Sequence, residues 1–247
     1  MMTVENLLIK AYRQLKKNKI RTYKIDSEIL LAKVLKTSRL NLILKNDYLL
    51  EKKQIKNFKS LIKMRKIKLP IAYLVGEKEF WKSKFLIDNK VLIPRPDSEF
   101  IVEETLKLFN LNKSFNLLDI GTGSGCLIIS ILKERINSYG IAIDISKHAL
   151  KLAKNNAKIQ HVANRIKFIN SDIDKFNHGK YDLIISNPPY LNKVELNNLD
   201  EEIKYNEPIL SLEGGLDGKR VTKKVIDKSR DLLKKKGKLI LEIGHMQ

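Results

Sequence analysis

From residue 115 onward the chain alternates short apolar runs with longer amphipathic ones, and this alternation restricts the fold more than any other feature. FNLLDI (115–120), YGIAID (139–144), IKFIN (166–170), YDLIIS (181–186) and KLILEI (238–243) have the length and apolar content of buried strands. Between them, stretches such as CLIISILKER and SKHALKLAKNNAKI carry helical spacing. Strand–helix–strand repetition predicts an α/β fold with a parallel, doubly wound sheet. Ligands of such sheets sit at the carboxyl ends of the strands, and two of those ends are unusual here.

The first strand runs into LLDIGTGSG, a turn that places Gly121, Gly123 and Gly125 between strand and helix. Glycine there admits positive φ and lets the backbone approach a ligand closely. The next strand ends on Asp144, where an acid accepts hydrogen bonds from both hydroxyls of a ribose. Together these point to a nucleoside cofactor. The dinucleotide pattern GxGxxG is not met, because Cys126 stands where its last glycine belongs, and Asp119 before the turn suits a cationic amino-acid head. S-adenosylmethionine fits better than NAD. After the third strand, SDID offers Asp172 either as an acceptor for the adenine amine or as a strand-end turn.

The fourth strand stops at NPPY, residues 187–190. Proline lacks an N–H and fixes φ, so Pro188 and Pro189 form a stiff end that pairs with nothing. By itself that is a rigid turn. Beside a methyl donor it acquires chemistry. The nitrogen of a planar –NH2 group is a poor nucleophile because its lone pair is delocalised, so help must come from position. The Asn187 side-chain oxygen and the Pro188 carbonyl can each accept one N–H, and the Tyr190 ring can stack on the planar group. No strong base is required.

The first 70 residues differ in character. Val4, Leu7, Leu8, Ala11, Tyr12 and Leu15 recur at helical spacing behind a Thr3 cap. Ile29, Leu30, Lys33 and Val34 predict a second helix after Asp26 and Ser27, and Ile55, Phe58, Leu61 and Ile62 another between Glu51 and Arg65. This half holds 19 Lys/Arg against 5 Asp/Glu, so it carries most of the net +20. Such charge is either a solvated lysine coat or an attraction to an acidic protein or an RNA-containing assembly. The intervening EKEFWKSKFLIDNKVLIP predicts a short hairpin or connector, with Trp81 and Phe85 as packing anchors. One cysteine excludes an internal disulfide framework and suggests a reducing, cytoplasmic setting. There is no signal-peptide layout, no apolar run of membrane-crossing length and no metal-ligand spacing among the four histidines and the cysteine, so neither a membrane nor a metal is expected.

GTGSG, IAIDIS and SNPPY, set among PIAYLVGEKEFW, LIPRPDSE, YNEPILSLEGGLDG and KLILEIG, resemble the bacterial release factor glutamine methyltransferases over almost the whole chain. The resemblance implies a Rossmann-like S-adenosylmethionine-dependent domain at 97–247, a hairpin linker at 73–96, and a helical bundle at 1–72 that binds the substrate protein. It also implies methylation of the glutamine in the Gly-Gly-Gln tip of a peptide-chain release factor, with ribosome association as a further expectation. It puts Gly121, Thr122, Gly123, Ser124, Gly125, Asp144, Asp172, Ile173 and Asn187 on the cofactor, and Asn187, Pro188, Pro189 and Tyr190 on the glutamine amide. Where relatives often have an aromatic, this chain has Ile173, so adenine packs on aliphatic surface or borrows Phe176. Arg95 is expected either at the mouth of the site or in a salt bridge to the domain body.

NPPY is shared with enzymes that methylate exocyclic amines of nucleic acids, which keeps that class open, as does a ribosomal-protein glutamine. A non-catalytic RNA- or ribosome-binding protein is the third class; the intact glycine turn, acid and NPPY argue against it. The resemblance further implies a helix and two strands after the fifth strand. Since this chain stops at LEIGHMQ, the fifth strand is expected to present an open edge, or one covered by another polypeptide.

Overall fold

The computed structural model describes residues 2–44, 46–245 and 247. These form two compact units. One runs to Gly76 and includes Glu201–Asn206; the other is Glu77–Asp200 with Glu207–Gln247. The first unit therefore extends past the boundary expected at 72. The reason is a short helix over Ile71–Val75 whose Leu74 belongs to the bundle core.

In the first unit α1 (Val4–Lys17), α2 (Tyr23–Leu35), α3 (Arg39–Leu44), α4 (Lys52–Lys66) and α5 (Ile71–Val75) enclose one apolar core. Thr3 caps α1, its hydroxyl accepting from the Asn6 N–H at 3.2 Å. Glu51 and Gln54 form a reciprocal capping box at the start of α4. The faces buried by α1 and α4 are those that the spacing predicts, with Leu7, Leu15, Phe58 and Ile62 at the centre.

The second helix departs from expectation, since α2 begins at Tyr23 and carries Asp26 and Ser27 inside it, both buried. Asp26 tolerates burial because Arg65 Nε lies 2.7 Å from its Oδ2 and the Thr22 hydroxyl donates to the same oxygen at 2.9 Å. Ser27 returns its hydroxyl proton to the Tyr23 carbonyl at 2.7 Å. Arg65 also reaches Glu202 at 2.8 Å, and Asn206 donates to the Lys68 carbonyl at 3.2 Å, which ties Glu201–Asn206 to the helices.

The second unit begins with a hairpin, β1 (Glu77–Phe80) antiparallel to β2 (Ser83–Leu86). Phe80 and Phe85 meet edge-to-face inside the core, and Trp81 donates its indole N–H to Glu134 at 3.0 Å. After α6 (Glu99–Leu108) come β3 (Asn116–Ile120), α7 (Cys126–Glu134), β4 (Tyr139–Asp144), α8 (Lys147–Ile159), β5 (Ile166–Asn170) and β6 (Tyr181–Ser186). The short α9 (Lys193–Asn197) follows, and after α10 (Glu201–Lys204), which belongs to the first unit, come α11 (Arg220–Leu232) and β7 (Leu233–Leu241).

All five strands of the main sheet are parallel, in the order β5-β4-β3-β6-β7. The chain thus steps outward from β3 to β5, then returns to the other side of β3. One face buries Leu117, Leu183 and Ile185 with Ile101, Val102, Ile128 and the hairpin phenylalanines; the other buries Leu118, Ile143 and Ile184 with Val225 and Leu232 of α11.

The last strand is longer than KLILEI and offset from it. Tyr181 pairs with Leu233 and Leu183 with Lys238, so 234–237 bulge out through Lys236 and Gly237, with Lys236 at φ 70°. Glu242 and Ile243 fall beyond the strand, which has β6 as its partner.

The Arg65–Asp26 pair yields a stability prediction. Arg65→Met should lower the stability of the helical unit by ~3–5 kcal/mol, because it leaves a buried carboxylate without its counter-charge. Amide exchange on α2 and α4 measures this, and Arg65→Met combined with Asp26→Leu should recover most of the loss.

Candidate functional site

The parallel pairing of β3 with β6 sets Ile120 opposite Ser186, so the turns leaving these strands begin side by side. Between them and the second unit's loops lies a cleft of about 530 Å³. Gly121, Thr122, Gly123, Ser124, Asp144, Asp172, Ile173, Asn187, Pro188 and Pro189 all line it, as does Arg95.

The glycine turn has the backbone that the sequence requires, with φ 72° at Gly121 and 55° at Gly123. A side chain built on Gly121 would meet nothing within 4 Å, which leaves backbone open to a ligand. Gly125 does different work. Its φ is 80°, and an added Cβ would stand 2.9 Å from Ile129 and 3.1 Å from Ala153. It lets α7 pack against α8 behind the turn and is not among the residues that line the cleft.

Asp144 holds the turn from the side. Its Oδ2 accepts from the Gly123 N–H at 2.9 Å and its Oδ1 from the Ser146 N–H at 2.8 Å. A carboxylate has about four lone-pair positions, so each oxygen keeps capacity for a hydroxyl. Burial raises its pKa, offset in part by these two bonds. Asp172 caps a short turn by accepting from the Asp174 N–H at 3.0 Å, and it also lines the cleft. Ile173 lines the same wall, whereas Phe176 is turned into the core against His178 and offers nothing to a ligand. Open glycine backbone, a partly free carboxylate and the apolar flanks of Leu127, Ile143 and Ile173 are a donor set that fits a nucleoside.

Asp119 is fully buried beneath the turn and does not line the cleft. Its Oδ2 accepts from the Thr122 hydroxyl at 2.7 Å, and its Oδ1 has no partner among the described residues. Burial pushes its pKa up to about 7, the Thr122 bond opposes this, and the Asp144 charge adds to it. Burial likewise pushes the Cys126 thiol up to about 12, which disfavours its thiolate form.

At the other end, the Asn187 Nδ2 donates to Ser98 Oγ at 2.9 Å, which leaves Oδ1 as its remaining polar atom. Pro188 and Pro189 hold the backbone next to it. Tyr190 is half-buried and is not among the residues that line the cleft. Its hydroxyl donates to Glu242 Oε1 at 3.2 Å, and burial followed by the Glu242 charge pushes its pKa up to about 12. Arg95 satisfies both expectations, since it lines the cleft and bonds the buried Glu207 at 2.7 Å. Sequence reasoning missed Ser98 and Glu242. LIPRPDSE and KLILEIG contained them, but nothing in either block says that they meet.

Two family models match the chain: the Methyltransferase small domain over residues 98–216 and the PrmC N-terminal domain over residues 6–76. Among full-length relatives, the release factor glutamine methyltransferase of Clostridium acetobutylicum is 37% identical, covering 98% of this chain and 86% of its own. That of Nitratidesulfovibrio vulgaris is 33% identical over 99% of this chain and 83% of its own. That of Buchnera aphidicola is 35% identical over 100% and 88%.

The Asp119 environment predicts a pH dependence. An acid whose pKa is higher folded than unfolded makes stability fall as pH rises from about 4 to about 7, because the unfolded chain releases its proton first. Below that window the cost is absent, and above it the cost is complete. Thermal midpoints of Asp119→Asn should therefore gain on those of the unaltered chain across that range. Parallel curves would show that Asp119 ionises at an ordinary pH.

Proposed function

This chain belongs to the family of release factor glutamine methyltransferases, and we propose that it moves a methyl group from S-adenosylmethionine to the side-chain amide nitrogen of the glutamine in the Gly-Gly-Gln segment of a peptide-chain release factor. What carries the reading is the sharing of one cleft by the glycine turn with Asp144 and by Asn187-Pro188-Pro189. A nucleoside end and an amide-recognition end then lie within one ligand's length.

The open backbone of Gly121, with Thr122, Gly123 and Ser124, would hold the methionine and sugar portions of the cofactor. The free lone pairs of Asp144 would accept from the ribose hydroxyls, and Asp172 and Ile173 would flank the adenine. When bound, S-adenosylmethionine would supply an electrophilic methyl group on a positively charged sulfur, and because breaking that C–S bond releases a neutral thioether, no acid is needed to assist the leaving group.

The chain's own residues then have to orient a weak nucleophile. Asn187 Oδ1 accepts one N–H of the glutamine amide, and the Pro188 carbonyl accepts the other. With both N–H groups held in the amide plane, the face of the nitrogen is turned toward the methyl. Two adjacent prolines keep these acceptors from relaxing, so the reorganisation cost is met during folding. The nitrogen gains the methyl and afterwards loses one proton to water, which requires no side chain of raised basicity.

The helical unit is read as the element that meets the body of the release factor. Lys52, Lys53, Lys56 and Lys59 are exposed along α4, in the half that holds 19 Lys/Arg against 5 Asp/Glu. Charge complementarity there favours an acidic protein face and raises the association rate more than the affinity. A substrate of translation makes the cytoplasm the expected site of the reaction. Reversing the charge of these four lysines should slow methylation of whole release factor and flatten its salt dependence, while a Gly-Gly-Gln peptide is affected far less. Equal effects on both would identify the lysines as a solvated coat.

Incubation with methyl-labelled S-adenosylmethionine and, separately, release factor, DNA or RNA tests the reading, with label expected in the release factor alone. Asn187→Ala should cut kcat by ~10²–10³ with cofactor affinity unchanged, as for loss of one preorganised partner. Asp144→Ala should instead weaken cofactor binding in calorimetry. An Asn187→Ala enzyme that turns over normally, or Asp144→Ala binding at full affinity, would overturn the respective role.

A further inference from the structure

Asn187 is one link in a chain of hydrogen bonds that runs away from the cleft. Its Nδ2 donates to Ser98 Oγ at 2.9 Å, Ser98 Oγ donates to Glu242 Oε2 at 2.5 Å, and the Tyr190 hydroxyl donates to Glu242 Oε1 at 3.2 Å. Ser98 is 3% exposed. Four side chains from three separate sequence blocks converge there.

Each link is held by backbone rather than by chance rotamers. Ser98 ends the single turn Pro96–Ser98, its N–H donating to the Arg95 carbonyl at 3.1 Å, and Pro96 sets the entry. It occupies the cap position of α6, where a serine ordinarily bonds back to the helix, yet its side chain makes no such bond. Glu242 lies just past β7, its N–H donating to the Ser186 carbonyl at 3.1 Å, so the β6–β7 register delivers it beside Asn187.

The direction of the bonds follows from elementary chemistry. An ionised carboxylate only accepts, and a serine hydroxyl has one proton. Ser98 commits that proton to Glu242 and can therefore only accept from Asn187. Asn187 must then turn its NH2 toward Ser98, which leaves Oδ1 facing the cleft. Reversed, the amide would confront a substrate NH2 with another NH2, donor against donor.

We propose that Ser98 and Glu242 are positioning residues which set the polarity of the Asn187 side chain, so that the cleft accepts an –NH2 group and disfavours a ligand that can only accept. The inference rests on the reading of Asn187 as the acceptor of the glutamine amide. It makes the specificity for a nitrogen that carries protons a property of a carboxylate two side chains away from the substrate.

The test compares Ser98→Ala, Ser98→Thr and Glu242→Gln with the unaltered chain, using whole release factor and labelled S-adenosylmethionine. Ser98→Ala should lower kcat by about 10- to 100-fold, the scale of a misoriented reacting group. Cofactor affinity should be unchanged, and Ser98→Thr, which keeps the hydroxyl, should restore turnover. Glu242→Gln should show a smaller loss, since glutamine can still accept from Ser98 in one of its two orientations. The Asn187 side-chain amide signals in NMR, identified by their loss in Asn187→Asp, provide a readout without turnover. They should be slowly exchanging in the unaltered chain and fast in Ser98→Ala.

Unchanged kcat in Ser98→Ala, or equal losses in the alanine and threonine variants, overturns the inference while leaving the functional reading intact. Absence of transfer by the unaltered chain counts against the functional reading, and the amide signals alone then decide the inference. If Ser98→Ala fails to fold, the threonine and glutamine variants carry the same comparison, and unprotected Asn187 signals in the unaltered chain refute it.

Discussion

The β3–β6 ladder is the interaction on which the cleft depends. Leu117–Ile120 pair with Leu183–Ser186, and the Ser186 hydroxyl adds a bond to the Ile120 carbonyl at 2.7 Å. These strands are far apart in sequence, and their pairing is what sets the glycine turn next to NPPY. A slip of one residue would turn the buried side chains to the opposite face and separate the two turns. The register is secured by burial on both sides, since Leu117 and Leu183 face one core cluster while Leu118 and Ile184 face the other. The fold therefore places ligand recognition at a topological switch point, where the chain reverses its direction of travel across the sheet.

Charge is handled differently at the two ends of the cleft. At the nucleoside end, Asp119 is sealed beneath the turn and Asp144 lies beside it, and burial pushes both toward protonation. At the amide end, Glu242 is matched by two hydroxyl donors. One end stores electrostatic cost that a cationic ligand can relieve. The other directs hydrogen bonds without moving a proton. Methyl transfer to a delocalised nitrogen needs both, a site suited to positive charge and rigid acceptors for N–H groups.

Much of this was legible in the sequence because it is local. Strands β3 to β6 follow from short apolar runs, α1 and α4 from spacing and caps, and the cleft wall from Gly121, Gly123, Asp144 and Asn187-Pro188-Pro189. What stayed hidden depends on partners distant in the chain. Asp26 reads as a residue preceding a helix until Arg65, 39 positions later, neutralises it within α2. Gly125 reads as a ligand contact, and its close packing against Ala153 and Ile129 is visible only in the fold. Tyr190 and Ser98 each give a hydroxyl proton to Glu242, and Ser98 accepts from Asn187, contacts that no sequence block announces. Periodicity and motif spacing report on which face of an element is buried; they do not report which polar groups meet across the sheet.

The central claim is that this cleft aims a methyl group at a planar amide nitrogen bearing two protons. Tandem mass spectrometry of a release factor, after incubation with the chain and methyl-labelled S-adenosylmethionine, tests it most directly. A single labelled methyl on the side-chain nitrogen of the glutamine in Gly-Gly-Gln, and none when that glutamine is replaced by glutamate, is the predicted result. Label on a carboxylate, a hydroxyl or a backbone atom, or equal labelling of the glutamate form, would contradict it.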